Sequence, residues 1–196
     1  MTKFLHAAAA VALMAGTPVF AQVAVADLDA AVGQSAAYQA AQGQIRTLYQ
    51  KQIDAFNARQ QALQAQLQPL QTEIENLQKN PATPRATLEA KVNTFRQIQS
   101  SGSQELQNLA APFAKPTAYA QSQVGDKLND AIKAAMTAKG IKIIVQPDST
   151  IAVAPDANLT PEITNQLNLL VKTVSITPPA NWQPGQPAGG GAAGGR

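Results

Sequence analysis

Residues 49–78 read YQKQIDAFNARQQALQAQLQPLQTEIENLQ, and residues 85–113 read RATLEAKVNTFRQIQSSGSQELQNLAAPF. In the first stretch Tyr49, Phe56, Leu63, Leu70 and Leu77 recur every seventh residue, with Ile53, Gln60, Leu67 and Ile74 four places behind. In the second, Leu88, Phe95, Gly102 and Leu109 hold one row, and Val92, Gln99, Leu106 and Phe113 hold the other. Apolar residues alternating by four and three draw a narrow stripe along a helix, the seam of a coiled coil. Between the stretches lies Lys79-Asn80-Pro81-Ala82-Thr83-Pro84. Two prolines so close cannot continue a helix, because each lacks an N–H and restricts the residue before it. The pattern predicts two long helices folded back as an antiparallel hairpin, with its tip near 79–84.

Working outward, the first helix is expected over Ala36 to about Gln78, with Ser35 as its N-cap. Tyr38 and Ile45 keep the seven-residue spacing but stand out of phase with Tyr49, which predicts a stutter near Leu48. Some forty residues at 1.5 Å each would span roughly 60 Å. The return helix is expected from about Arg85 to Lys139, with Thr83 at its cap, Pro84 in its first turn and Gly140 closing it. Pro69, Pro112 and Pro116 fall inside these helices, where each removes a ladder bond. They imply either bends or hinges that let the arm splay.

Val23 to Asp29 is expected to be a short strand, with Asp27 and Asp29 on one face. The two carboxylates could be taken for a catalytic dyad or half a metal site. With no third ligand or base nearby, Asp29 is expected to cap the helical turn beginning at Ala30, leaving Asp27 partly solvated. After the arm, Ile141–Val145 and Thr150–Ala154 flank Gln146-Pro-Asp-Ser149 and predict a β-hairpin that pairs with the N-terminal strand. Leu159-Thr-Pro-Glu-Ile-Thr164 opens a last helix, with Thr160 as cap and Ile163, Leu167, Leu170 and Val174 on one face. Residues 176–196, rich in Pro, Gly and Ala around Trp182, are expected to be a disordered tail.

The fold class is therefore α+β, mostly α: a helical hairpin, 36–139, inserted into a small β-rich head built from 22–35 and 140–175. So small a head has little core, and its open strand edges favour oligomerisation. Val23, Val25, Leu28, Ile143, Val145, Ile151 and Val153 are the residues expected to form that contact.

Residues 1–21 have the pattern of a secretory signal peptide: Lys3, the apolar run Ala7–Ala15, then Val19-Phe20-Ala21, with cleavage expected before Gln22. Cleavage removes His6, the only histidine, and the sequence has no cysteine. Histidine and cysteine carry most general acid–base, covalent and zinc or copper chemistry, so the reading is not an enzyme, with no catalytic residue, cofactor or metal. Residues 36–139 carry eleven Lys and Arg against seven Asp and Glu, while the head segments carry two against five. A basic arm on an acidic head suggests that the arm meets a negatively charged partner. Lys51, Arg59, Lys79, Arg85, Lys91 and Arg96, with Phe56 and Phe95, are the candidate contact residues. Export and the modest net charge disfavour nucleic acid.

An exported chain with a Val/Ala strand ending in Asp, a heptad hairpin, an Ile-rich strand pair and a Leu-Thr-Pro-Glu-Ile-Thr helix resembles the Skp (OmpH) periplasmic chaperones. The resemblance covers about residues 22–175, with Val23–Asp29, Ile141–Ala154 and Leu159–Leu170 as its specific parts. It implies a homotrimer with a central β-barrel, whose arms hold unfolded outer-membrane proteins in the periplasm without ATP. It also raises contact with a membrane or lipopolysaccharide surface, for which no basic constellation can be placed here. The internal prolines, sparse arm charge and Gly/Pro-rich tail depart from the family pattern. The competing reading is a non-chaperone structural or adaptor coiled coil of the cell envelope.

Overall fold

The computed structural model describes residues 23–188; the expected signal peptide and the end of the tail lie outside the described residues. Strand β1 (Val23–Val25) is followed by α1 (Leu28–Gly33), α2 (Ala36–Leu48), α3 (Gln50–Lys79), α4 (Arg85–Gly125) and α5 (Leu128–Lys139). Strand β2 (Ile143–Val145) and α6 (Thr160–Leu170) complete the regular elements, with 3₁₀ turns at Pro147–Ser149 and Pro155–Ala157 between them. The chain is mostly helical with one small strand pair. β1 and β2 run parallel, Val23 opposite Ile143 and Val25 opposite Val145, so the whole helical hairpin serves as their crossover.

The expected β-hairpin does not form. Its first run is β2, but Ile151–Ala154 is irregular and exposed. The place it would need beside β1 is already taken: Leu159 N–H donates to Val25 O at 2.8 Å, and Val25 bridges Asn158. Pro147 and Pro155 open the two turns that bracket the run, each restricting φ and lacking an N–H.

The head core is Ala24, Ala26, Ala31, Val32, Val124, Ala131, Ala135, Leu159, Ile163 and Leu167, half of it alanine. Such small side chains let helices approach closely, but each buries little area, so the core is thin. Of the stripe expected on α6, Ile163 and Leu167 are fully buried, whereas Leu170 is exposed and Val174 packs from beyond the helix end.

The caps differ from expectation. Asp27, not Asp29, caps α1, its Oδ1 accepting from Ala30 N at 2.8 Å. Ser35 stands at the N-cap of α2, but its hydroxyl donates to Val32 O. Thr160 is the first residue of α6 and its Oγ1 accepts from Asp27 N, while Asn158 Oδ1 takes Thr160 N. Pro84 occupies the cap position of α4, and the Thr83 hydroxyl has no partner among the described residues. Gly140 closes α5 in the left-handed conformation, φ 66°, as expected.

Both long helices are interrupted. The first breaks at Tyr49, φ −110° and ψ 21°, where the heptad phase slips. Below it, α2 buries Ala37, Ala41 and Ile45, a four-residue stripe, against α4. Above it, α3 follows the seven-residue rows, so the chain must rewind once to keep both stripes on α4. The return helix breaks at Asp126 and Lys127, whose N–H groups bond Ser122 O and Val124 O in a tight turn. Pro69, Pro112 and Pro116 sit inside continuous helices.

The arm is a two-helix seam, and its rows fall as read: Phe56, Leu67, Leu70, Ile74, Leu77, Leu88, Val92, Phe95, Leu106 and Leu109 are all half-buried, while Gln60 and Gln99 are exposed. Leu63 is the one buried side chain of α3. It sits over Gly102, where an added Cβ would lie 2.4 Å from Leu63 Cδ1 and 2.7 Å from Cδ2. Gly102 is therefore the hole for the Leu63 knob, which offsets the helix propensity the glycine forgoes. Gly102→Leu should cost about 2 kcal/mol in urea unfolding by evicting Leu63. In a Leu63→Ala background most of that cost should vanish. Equal costs in both backgrounds would refute the lock.

Candidate functional site

The contact residues expected on the arm fall into two places rather than one. At its root, Phe56 stands edge-on to Phe113 with ring centroids 5.9 Å apart, bridging α3 and α4. The pair forms part of an open groove of about 520 Å³ whose other walls are Ile45, Ile53, Ala114 and Ala118. Gln42, Asn57, Thr117 and Gln121 supply polar edges, and Arg46 is its only charged lining residue. An apolar floor with amides and one cation at the rim can take an apolar side chain while hydrogen-bonding the backbone that carries it.

Near the tip, Arg85 and Arg96 line a second open depression with Leu88, Glu89, Val92 and Asn93. Arg85 also pairs with Glu89 along its own helix at 2.8 Å. Phe95, on the same stretch of α4, is half-buried in the seam.

Two of the expected contact cations are instead rungs between the arm's helices. Arg59 Nε pairs with Glu105 at 2.5 Å, and Lys91 Nζ with Glu73 at 2.9 Å. Both pairs cross from α3 to α4 and fix the hairpin register. Lys51 and Lys79 are exposed at the two ends of α3. Glu75, one turn before Lys79, accepts from the Gln71 amide.

In the head, Val23, Ile143, Ile151 and Val153 are exposed, Ile151 completely, while Val25 and Val145 are half-buried. Leu28 departs from this set by packing onto the chain's own core. Among the described residues no group of His, Cys, Asp or Glu could hold a metal ion, and no helix is long and apolar enough to cross a membrane.

Sequence reasoning passed over the root groove as a site, although its signal was present. Ile53 and Phe113 belong to the heptad rows, and Ile45 and Arg46 lie at the phase slip, where a seam must open. It also misjudged the tail. Residues 176–188, expected to be disordered, lie on α4: Trp182 is buried with its ring 5.0 Å from Tyr119, and Ala188 N–H donates to Asp126 Oδ2.

The family model described as outer membrane protein (OmpH-like) matches residues 22–167. Among solved structures, a candidate outer membrane chaperone (OmpH-like) from Caulobacter crescentus is similar at 18% identity, covering 81% of this chain and 90% of that chain with a TM-score of 0.45. No curated protein matches.

Since the Glu105 side chain is 53% exposed, the Arg59–Glu105 rung should contribute little to stability. Glu105→Gln should cost under about 1 kcal/mol in low salt and less in high salt, as read by denaturant midpoints. A loss several times larger would mean that the rung, not the apolar seam, holds the arm together.

Proposed function

The chain belongs to the outer membrane protein (OmpH-like) family, and from that membership we propose that it is an ATP-independent periplasmic holdase chaperone. It binds unfolded outer-membrane proteins along its helical arms and keeps them from aggregating. The observation that carries this reading is the arm itself: two helices thick, apolar along its seam, and open to solvent at the Phe56–Phe113 groove. An enclosed pocket selects one ligand, whereas an open, weakly lined surface tolerates many side chains and gains strength by repetition.

Oligomerisation supplies that repetition. A two-stranded sheet is marginal by itself, and here it leaves Val23 and Ile143 exposed, with Ile151 and Val153 exposed on the irregular run that follows. These residues are the proposed interface of a homotrimer with a central barrel, which would cover the open strand edges and set three arms around one cavity. The proposed division is accordingly a signal peptide over 1–21, a head over 22–35 and 140–175, and an arm over 36–139. Lys51, Lys79 and Arg96 are exposed and enter into no ion pair among the described residues. They are positioned to steer an acidic client, an effect on encounter rate that salt screens.

The test uses residues 22–196 and a urea-unfolded outer-membrane β-barrel protein diluted into buffer without ATP. Light scattering should stay low, and size exclusion with mass detection should find three chains per client. Phe56→Ala combined with Phe95→Ala should weaken client binding about tenfold, the loss expected when two aromatic contacts are removed. Replacing Lys51, Lys79 and Arg96 by Gln should slow association in low salt with little change in high salt. A well-folded oligomer that leaves aggregation untouched would sink the reading and favour a structural spacer of the envelope.

A further inference from the structure

We infer that residues 175–188 form a strap that braces the root of the arm against the head, with Trp182 as its anchor. The segment leaves α6 in the head and crosses to the last turns of α4. There Ser175 and Gln123 exchange two hydrogen bonds: Gln123 Nε2 donates to Ser175 O at 2.8 Å, and Ser175 N donates to Gln123 Oε1 at 2.9 Å. The strap then runs along α4 toward the arm, where Trp182 is 3% exposed and stands edge-on to Tyr119. It turns back through Gly185, φ 89°, with Trp182 Nε1 donating to Gln186 O, and returns to α4 where Ala188 N–H meets Asp126 Oδ2 at 2.9 Å. Both ends of the loop are thus tied within one helical turn of each other, the form of a compact Ω-loop packed by its own side chains.

Its position gives the contact a consequence. Tyr119 lies one turn from Pro116, and Pro112 and Pro116 each remove a bond from the α4 ladder. α4 is weakened just beyond the strap on the arm side and broken at Asp126 on the head side. The groove residues Phe113, Thr117 and Gln121 point from one flank of α4, whereas Tyr119, Gln123 and Asp126 lie along the other. With the strap seated, the arm root is held from both sides. With it lifted, the root is left to the α2 stripe and to Val124 in the head core, and the arm pivots at the prolines beyond them. The strap lies beyond the family match, which ends at residue 167.

Two properties of the chain make the test direct: Trp182 is the only tryptophan, and there is no cysteine. In the intact protein, Trp182 emission should be blue-shifted and protected from acrylamide. Gln123→Ala should raise its quenching constant about twofold, as expected for a locally opened segment. Spin labels at Gln99→Cys on the arm and Lys133→Cys on α5, whose Ala131 and Ala135 lie in the head core, diluted with unlabelled chain, report the arm angle. Both Gln123→Ala and Trp182→Ala should broaden the label distance distribution at unchanged helix content by circular dichroism. If Trp182→Ala fails to fold, the milder Gln123→Ala variant carries the test. A wild-type Trp182 quenched as freely as in urea, or a distance distribution identical in wild type and folded variant, would overturn the brace.

Discussion

Three hydrogen bonds close the ends of the arm into one head: Ala26 N–H to Val145 O, Leu159 N–H to Val25 O, and Asp27 N–H to the Thr160 hydroxyl. They tie the strand before the arm to the strand and helix after it. Bringing the ends of so long an insertion together costs entropy that rises only slowly with length. A short parallel strand pair and an alanine-rich core can therefore hold it, provided the inserted segment is itself ordered. The hairpin meets that condition by zipping along its seam, so head and arm stabilise each other. The head supplies closure, and the arm removes the freedom that closure would otherwise have to overcome.

That division explains why the arm is so lightly packed. A pair of helices offers one seam and no third layer, so most seam residues are half-buried and only Leu63 is buried outright on α3. The Leu63–Gly102 lock and the rungs Arg59–Glu105 and Lys91–Glu73 set register. They do so without a thick core, leaving aromatic and aliphatic flanks in reach of another chain. In a chaperone of this family, the weakness of the seam and the availability of its side chains are the same property.

The hairpin, its tip, the stutter near Leu48 and the Gly140 stop were legible because periodicity and Pro/Gly chemistry are local signals. The elements that went astray depend on what competes for a partner. Ile151-Ala-Val153 has good strand composition, yet Asn158 and Leu159 occupy the edge it needed. Asp27 and Asp29 are equally able caps by type, and backbone geometry chose the first. Of the expected contact cations, Arg59 and Lys91 were spent on rungs because Glu105 and Glu73 face them across the hairpin. Composition marked the tail for disorder, but a single Trp over Tyr119 and a few polar ties outweigh its Pro and Gly content as far as residue 188.

The break at Tyr49 has its origin in the helix it packs against. α4 runs past two different partners, meeting a four-residue stripe on α2 and a seven-residue one on α3, and no single unbroken helix can present both. The mismatch is taken up at Tyr49 on one side, while on the other Pro112 and Pro116 thin the ladder of a helix that stays continuous. A break in one helix facing missing bonds in its neighbour makes a compliant joint between a fixed head and a long lever. Small rotations there become large displacements at the tip, since thirty residues of α3 extend about 45 Å beyond it. An arm that must accommodate chains of varied bulk needs compliance at its root and register along its length, and this sequence assigns those two demands to different residues.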